Sequence, residues 1–248
     1  MTPNRIDAAS HLGVARDLAA WYASHGKEVA VKRPDVSLFR EDPSRSGVDV
    51  EVQAPWAAPR YCGITLENIK TEPSPLWMQD RLRMAGIRPV SNVVDITNYV
   101  MLETGQPLHA FDRDQIQGNC VVVRMADAGS RFVTLDGQER ILDGQDLMIC
   151  NKNEPMCIGG VFGGLGSGIT EKTTSLFLES AWFHPAFIRR TSKRHGLKTD
   201  ASFRFERGAD PNATIYALKR AVLLMQEICG ARVAGRIIDH YPNPVLPA

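Results

Sequence analysis

Three features of the 248-residue chain predict an α+β fold rather than a doubly wound parallel sheet. Short apolar and β-branched runs crowd the middle, at 119–125, 147–151 and 155–162. Amphipathic helical patterns lie near the ends, at 5–25 and 212–229. An Asp136-Gly137 pair between residues 131–135 and 138–142 marks a tight hairpin. Strands bracketed by helices, without regular βαβ alternation, belong to the α+β class.

The elements follow in order. In 5–25, Asp7 or Ser10 supplies a cap, and Leu12, Ala15, Leu18, Ala19 and Tyr22 form an apolar stripe. Residues 32–50 are rich in Pro and charge and read as a linker running into a strand. Val48–Val52 alternates as a strand does, and Tyr61–Thr65 is another. Pro75 to Gly86 is helical, with Pro near the first turn and Gly closing it. After the central strands, Asn212–Cys229 is the clearest helix, capped by Asp210 or Asn212 and ended by Gly230. A strand at 232–239 and a Pro-rich tail complete the chain.

Composition bounds the function. Hydrophobic content of 44% and charged content of 23% fit an ordinary globular chain. No run of 18 apolar residues exists, so no membrane span is expected. The N-terminus carries no signal-peptide pattern. The five cysteines (62, 120, 150, 157, 229) are odd in number and form no CxxC pair. They are expected to be buried free thiols in a reducing cytoplasm, with no metal site. A net charge of +1 hides one basic stretch. Arg189, Arg190, Lys193 and Arg194 share a helical face, suited either to solvent or to RNA phosphates.

Three stretches are dense in chemistry. Residues 199–211 (TDASFRFERGADP) alternate Ser202, Arg204 and Glu206 with Phe203 and Phe205. That pattern suits a half-buried strand with a polar binding face, or an edge strand with a charged outer face. Residues 93–112 contain TNYV and GQPLHAFD, with His109 in a loop entering an apolar segment. Residues 158–180 contain GGVFGG and Leu178-Glu179-Ser180. The GGVFGG run lacks the Lys-Ser/Thr of a phosphate-binding P-loop. It reads as a close backbone approach, with the N–H groups of Gly160, Gly163 and Gly164 facing a substrate carbonyl.

Taken with Trp182-Phe183, with Lys193-Arg194-His195-Gly196 and with the segment at 2–19, these stretches resemble the editing region of the bacterial phenylalanyl-tRNA synthetase beta subunit. The resemblance is ordered along nearly the whole chain. It implies two closely packed β-rich modules with flanking helices. It also divides the chain into 1–45, a fragment of a preceding module with its linker, 46–240, the editing domain, and 241–248, a tail.

The same resemblance implies hydrolysis of tyrosyl-tRNA(Phe) within a class II phenylalanine–tRNA ligase. Partners would be tRNA(Phe), tyrosine as against phenylalanine, and an alpha subunit. ATP and magnesium would serve the parent enzyme, outside this chain. Glu179 matches the family's contact to the tyrosine hydroxyl, and His109 matches its editing-site histidine. Thr97 and Asn98 would face the amino group or carbonyl, although they could equally cap a turn. Gly163, Thr199 and Ala201 match pocket-lining positions, with Gly160 beside them. Arg189, Arg190, Lys193 and Arg194 would touch tRNA. A carboxylate is the apt acceptor, because a buried acceptor left unpaired by phenylalanine rejects that ring strongly. A non-catalytic module binding tRNA or a subunit is the alternative.

Overall fold

The structure is a computed structural model that describes residues 4–244, so 1–3 and 245–248, including the end of the expected tail, lie outside it. In chain order the elements are α1 (His11–Ser24), β1 (Asp49–Val52), β2 (Arg60–Glu67), α2 (Leu76–Met84), α3 (Asn92–Thr104), β3 (His109–Asp112) and β4 (Cys120–Met125). There follow β5 (Arg131–Val133), β6 (Glu139–Ile141), β7 (Leu147–Cys150), β8 (Pro155–Ile158), β9 (Phe162–Gly163) and β10 (Ser175–Trp182). The chain ends with α4 (Pro185–His195), α5 (Asp200–Phe205), α6 (Ala213–Cys229) and β11 (Arg232–His240). The α+β expectation holds.

Two sheets carry the architecture. One has the order β11-β2-β10-β3 and the other β1-β4-β7-β8-β9, with β5 and β6 forming a separate hairpin. Strand β10 is the spine of the first sheet, paired antiparallel to both β2 and β3. Successive β10 side chains alternate between two cores, as a two-residue period requires. Phe177 and Ala181 join Tyr61, Phe111, Val121 and Ile149 between the sheets. Leu176 and Leu178 join Ile64, Leu82, Ile96 and Val222 beneath α2, α3 and α6. A strand covered on both faces is nearly all apolar, which makes the carboxylate of Glu179 conspicuous.

Helix ends obey local chemistry. Ser10 caps α1 by accepting from the Gly13 N–H, and Ser91 caps α3 by accepting from Val94. Gly105, Gly196 and Gly230 end α3, α4 and α6 in the left-handed region. Part of the expected α1 stripe faces outward, since Leu18 is 54% exposed. Residues 4–45 lie on the body of the fold. Asp42 bridges Gly235, the Tyr216 hydroxyl donates to Pro34 O at 2.9 Å, and Arg204 Nη2 donates to Ala9 O at 3.3 Å.

Two local expectations are corrected. Residues 200–205 form helix α5, not a strand. The cause is a capping box: Thr199 Oγ1 accepts from the Ser202 N–H while Ser202 Oγ accepts from the Thr199 N–H. Arg204 then reaches back to Asp200 at 3.1 Å, an i,i+4 pair. Ser202 and Arg204 are consequently buried rather than displayed on a binding face, and Phe203 points outward beneath Arg207. The second correction concerns the TNYV segment. Thr97 and Asn98 lie mid-helix in α3, and His109 opens strand β3 instead of sitting in a loop.

Candidate active site

Strand β3 is the edge of its sheet, and a cavity of about 550 Å³ opens beside it. Four segments converge there: α3 and the start of β3, the β8–β9 turn, the middle of β10, and the start of α5. His109, Glu179, Thr97, Asn98, Gly163, Thr199, Ala201 and Gly160 all line this one cavity. Val94, Thr97, Asn98 and Met101 present one face of α3 to it, at the i, i+3, i+4, i+7 spacing of a helix.

Glu179 is at the centre. It pairs with His109 of β3 on one side and Gly63 of β2 on the other. Its carboxyl is buried, with only 5% of the residue exposed. Tyr61 lies opposite Ala181, diagonal to Glu179 on the same face, and its hydroxyl donates to Glu179 Oε2 at 2.6 Å. No other described residue donates to this carboxylate, and Oε1 has no partner among them. Burial pushes the Glu179 carboxyl up to about 7, against the opposing pull of the Tyr61 hydrogen bond. Burial and the neighbouring Glu179 charge together push the Tyr61 phenol well above its usual range. The Cys157 thiol, also on the cavity wall, is raised for the same two reasons.

The His109 ring packs edge-on against Phe111, with centroids 4.5 Å apart. Its Nε2 is buried and has no hydrogen-bond partner among the described residues. Burial lowers its pKa to about 4, so the imidazole is neutral at physiological pH. Behind it, buried Gln106 donates through Nε2 to Ala181 O at 2.8 Å and to Pro107 O at 3.0 Å, fixing the loop that delivers His109.

The other predicted residues divide by what they are free to do. Asn98 lines the cavity and has no hydrogen bond to a described residue. Thr97 donates its hydroxyl to Val94 O at 2.7 Å, which leaves only acceptor capacity. Thr199 caps α5 and donates to Val161 O at 3.1 Å, tying that helix to the β8–β9 turn. Ala201, half-buried, presents only a methyl group.

The glycines differ. Gly160 has φ +67°, and an added Cβ would lie 2.7 Å from Phe183 and 3.0 Å from Phe205. Gly163 would meet only the tip of Leu135 at 2.8 Å, with the His109 ring 3.6 Å away. The expected row of free amides is corrected in part: the Gly164 N–H donates to Met156 O at 2.9 Å. Gly164 stands outside the cavity, held in a bridge with Thr134.

The four basic residues are on α4, away from the cavity, and all four are exposed. Arg189 and Arg190 border a surface hollow with His184 and Glu206, and Arg190 stacks on Phe187. Arg194 is ion-paired to Asp143 at 3.3 Å and to fully buried Asp146 at 2.5 Å. Asp146 also accepts from Thr191 Oγ1 at 2.8 Å and contacts His195 Nε2 at 2.7 Å. It is an anchor that clamps α4 to the β6–β7 loop.

Sequence reasoning missed Tyr61, Gln106 and Asp146. Only Tyr61 left a usable signal. A tyrosine inside an apolar strand needs a partner for its hydroxyl, just as a carboxylate inside another strand needs a donor.

All five cysteines are buried free thiols. Among the described residues no group of three or more His, Cys, Asp or Glu is placed to hold a metal ion, and no helix is long and apolar enough to cross a membrane.

The B3/4 domain family matches residues 57–230, and the chain belongs to that family. Its relatives are specific. The phenylalanine–tRNA ligase beta subunit of Bacteroides fragilis is 53% identical over 96% of this chain and 29% of its own length. That of Porphyromonas gingivalis is 53% identical over 100% of this chain and 30% of its own length. That of Bdellovibrio bacteriovorus is 44% identical over 100% and 30%. The chain thus spans less than a third of these relatives. Among solved structures, an N-terminal fragment of the phenylalanyl-tRNA synthetase beta subunit from Pyrococcus horikoshii shares the fold, with TM-score 0.53 and 15% identity over 96% of this chain and 64% of that one.

Proposed function

We propose that this chain is the editing domain of a phenylalanine–tRNA ligase beta subunit, hydrolysing tyrosyl-tRNA(Phe) in the β3-edge cavity. The observation that carries the reading is Glu179. It is a buried carboxyl with one oxygen satisfied by protein and the other unpaired, on the wall of a cavity large enough for an aromatic amino acid. A tyrosine phenol satisfies that oxygen; a phenylalanine ring desolvates it without replacing the lost water, which costs about 1–3 kcal/mol or more for a charged group.

Hydrolysis needs a water oxygen to form a bond to the ester carbonyl carbon while the bond from that carbon to the ribose oxygen breaks. Neutral His109, with Nε2 unpaired, suits either holding that water or taking its proton, and the departing ribose oxygen must gain a proton. Asn98 is free to contact the ester carbonyl or the amino group. Exposed Arg189, Arg190 and Lys193 suit tRNA phosphates. The alpha subunit, ATP and magnesium belong to the rest of such a ligase.

The test is release of tyrosine from mischarged tRNA(Phe), with phenylalanyl-tRNA(Phe) as the comparison. Release by the wild-type chain that slows in His109→Ala and loses its tyrosine preference in Glu179→Ala supports editing. Absence of release from the wild-type full-length subunit in its ligase favours a non-catalytic binding module.

A further inference from the structure

Tyr61 has no part in the chemistry described so far, yet among the described residues it makes the one hydrogen bond to the Glu179 carboxylate. Its ring is fully buried between the sheets, 6.5 Å from Phe183, so the phenol oxygen is held in place beside the carboxylate. We propose that Tyr61 is a positioning residue for specificity: its phenol holds Oε2 of Glu179, so that Oε1 alone is presented to the cavity as acceptor for the ligand's hydroxyl. This deepens the reading of the cavity as a tyrosine site and rests on it.

The physical reason is that a lone carboxyl in this setting would take up a proton. Its neighbours offer no cation: Cys157 on β8 and the neutral His109 on β3 face it, and Asp200 of α5 borders the same cavity. A protonated carboxyl can donate from either oxygen and no longer demands a phenol. The Tyr61 hydrogen bond favours the ionised form and fixes which oxygen is already occupied. The site thus copies in its own wall the contact it asks of the ligand, a phenol on a carboxylate.

Three full-length proteins decide the matter: wild type, Tyr61→Phe, and a variant carrying 3,5-difluorotyrosine at position 61, a stronger donor of nearly the same shape. Two readouts are used, the ratio of tyrosyl- to phenylalanyl-tRNA hydrolysis across pH 6–9, and the carboxyl titration of ¹³C-labelled glutamate. In Tyr61→Phe the Glu179 titration moves up by about one to two pH units, the equivalent of one charge-assisted hydrogen bond. Its discrimination falls about tenfold or more at pH 7 and partly recovers at pH 9. The fluorinated variant shifts both readouts to lower pH and does not rest on the folding of Tyr61→Phe. An unchanged Glu179 titration in the substituted proteins, or wild-type discrimination at every pH in an active Tyr61→Phe, overturns the proposal. If the wild-type ligase hydrolyses neither ester, the editing reading fails, and with it the specificity role of Tyr61, whereas an active wild type with an unmoved titration sinks the Tyr61 role alone.

Discussion

Glu179 and His109 stand directly opposite each other across the β10–β3 pair. Their side chains therefore leave the sheet on one face, with Cβ atoms about 5 Å apart. Burial acts on them in opposite senses, raising the carboxyl to about 7 and lowering the imidazole to about 4. Both shifts favour the uncharged form, as a low-dielectric cavity wall requires. Between pH 4 and 7 the pair is neutral, and above 7 it carries one negative charge.

Glu179→Gln tests the carboxyl. The folded pKa is above the usual 4.5, so the native state holds the proton more tightly than the unfolded chain. Stability contributed by this group is present below pH 4.5 and is lost as pH rises through about 7. Glutamine removes that loss while keeping an acceptor for Tyr61. We expect a higher Tm than wild type at pH 8, little difference at pH 4, and loss of tyrosine preference at pH 8. An equal Tm at pH 8 contradicts the burial cost.

For His109 the sign reverses. A folded pKa of about 4, below the usual 6.5, means the unfolded chain binds the proton more readily. Stability falls as pH drops through that window. Hydrolysis that depends on neutral His109 should show no inflection between pH 5.5 and 7 attributable to this ring. His109→Ala should slow hydrolysis about 10²–10⁴-fold if the ring takes the proton, and less if it only orients water. A pH–rate profile of wild type and variant, with Tm measured alongside, separates the cases.

Gly160 and Gly163 should behave differently. Gly160→Ala puts a Cβ into Phe183 and Phe205 at a left-handed φ, so it should destabilise by about 2–4 kcal/mol in a urea melt. Gly163→Ala meets only the flexible end of Leu135 and should leave stability within about 1 kcal/mol. It narrows the cavity beside His109, and its effect should fall on KM for the ester.

On α4, Arg194 and its neighbours separate by pairing. Burial raises the Asp146 carboxyl, but the Asp143 N–H, His195 and Thr191 outweigh it and hold the group below its usual range. Asp146→Ala should cost about 3–5 kcal/mol by leaving the buried His195 ring without its partner and Arg194 with Asp143 alone. Charge reversal at Arg189, Arg190 and Lys193 should cost little stability. It should weaken tRNA binding and reduce its log–log salt slope by about two to three. A filter-binding salt titration with a parallel melt checks both, and an unchanged slope removes α4 from the tRNA contact.

Much of the fold was legible because periodicity and caps are local. The Asp136-Gly137 hairpin, the α6 helix from its stripe to Gly230, and the core strands β4 and β7 all rest on neighbours a few residues apart. Segment 199–205 was misread for an equally local reason. Its two-residue alternation competes with the Thr199–Ser202 capping box, and the box prevails because the Val161 carbonyl holds Thr199 in place. Helix α3 went unassigned because its buried face is interrupted by polar Asn92, Asp95 and Thr97, whose partners lie on other segments or on the backbone.

The residues at the cavity could be named from sequence through motif resemblance, residue by residue. What sequence could not supply was their relation. Glu179 and Tyr61 are 118 positions apart, and only the β2–β10 register makes them hydrogen-bonded neighbours. The sequence by itself determined most of the element types and the buried thiols. Tertiary structure decided which oxygen of the Glu179 carboxyl is occupied, that the buried Nε2 of His109 has no partner among the described residues, and which arginines are free of ion pairs. Propensity and capping act over a single turn, whereas desolvation and pairing of buried charge depend on what the fold brings within 3 Å.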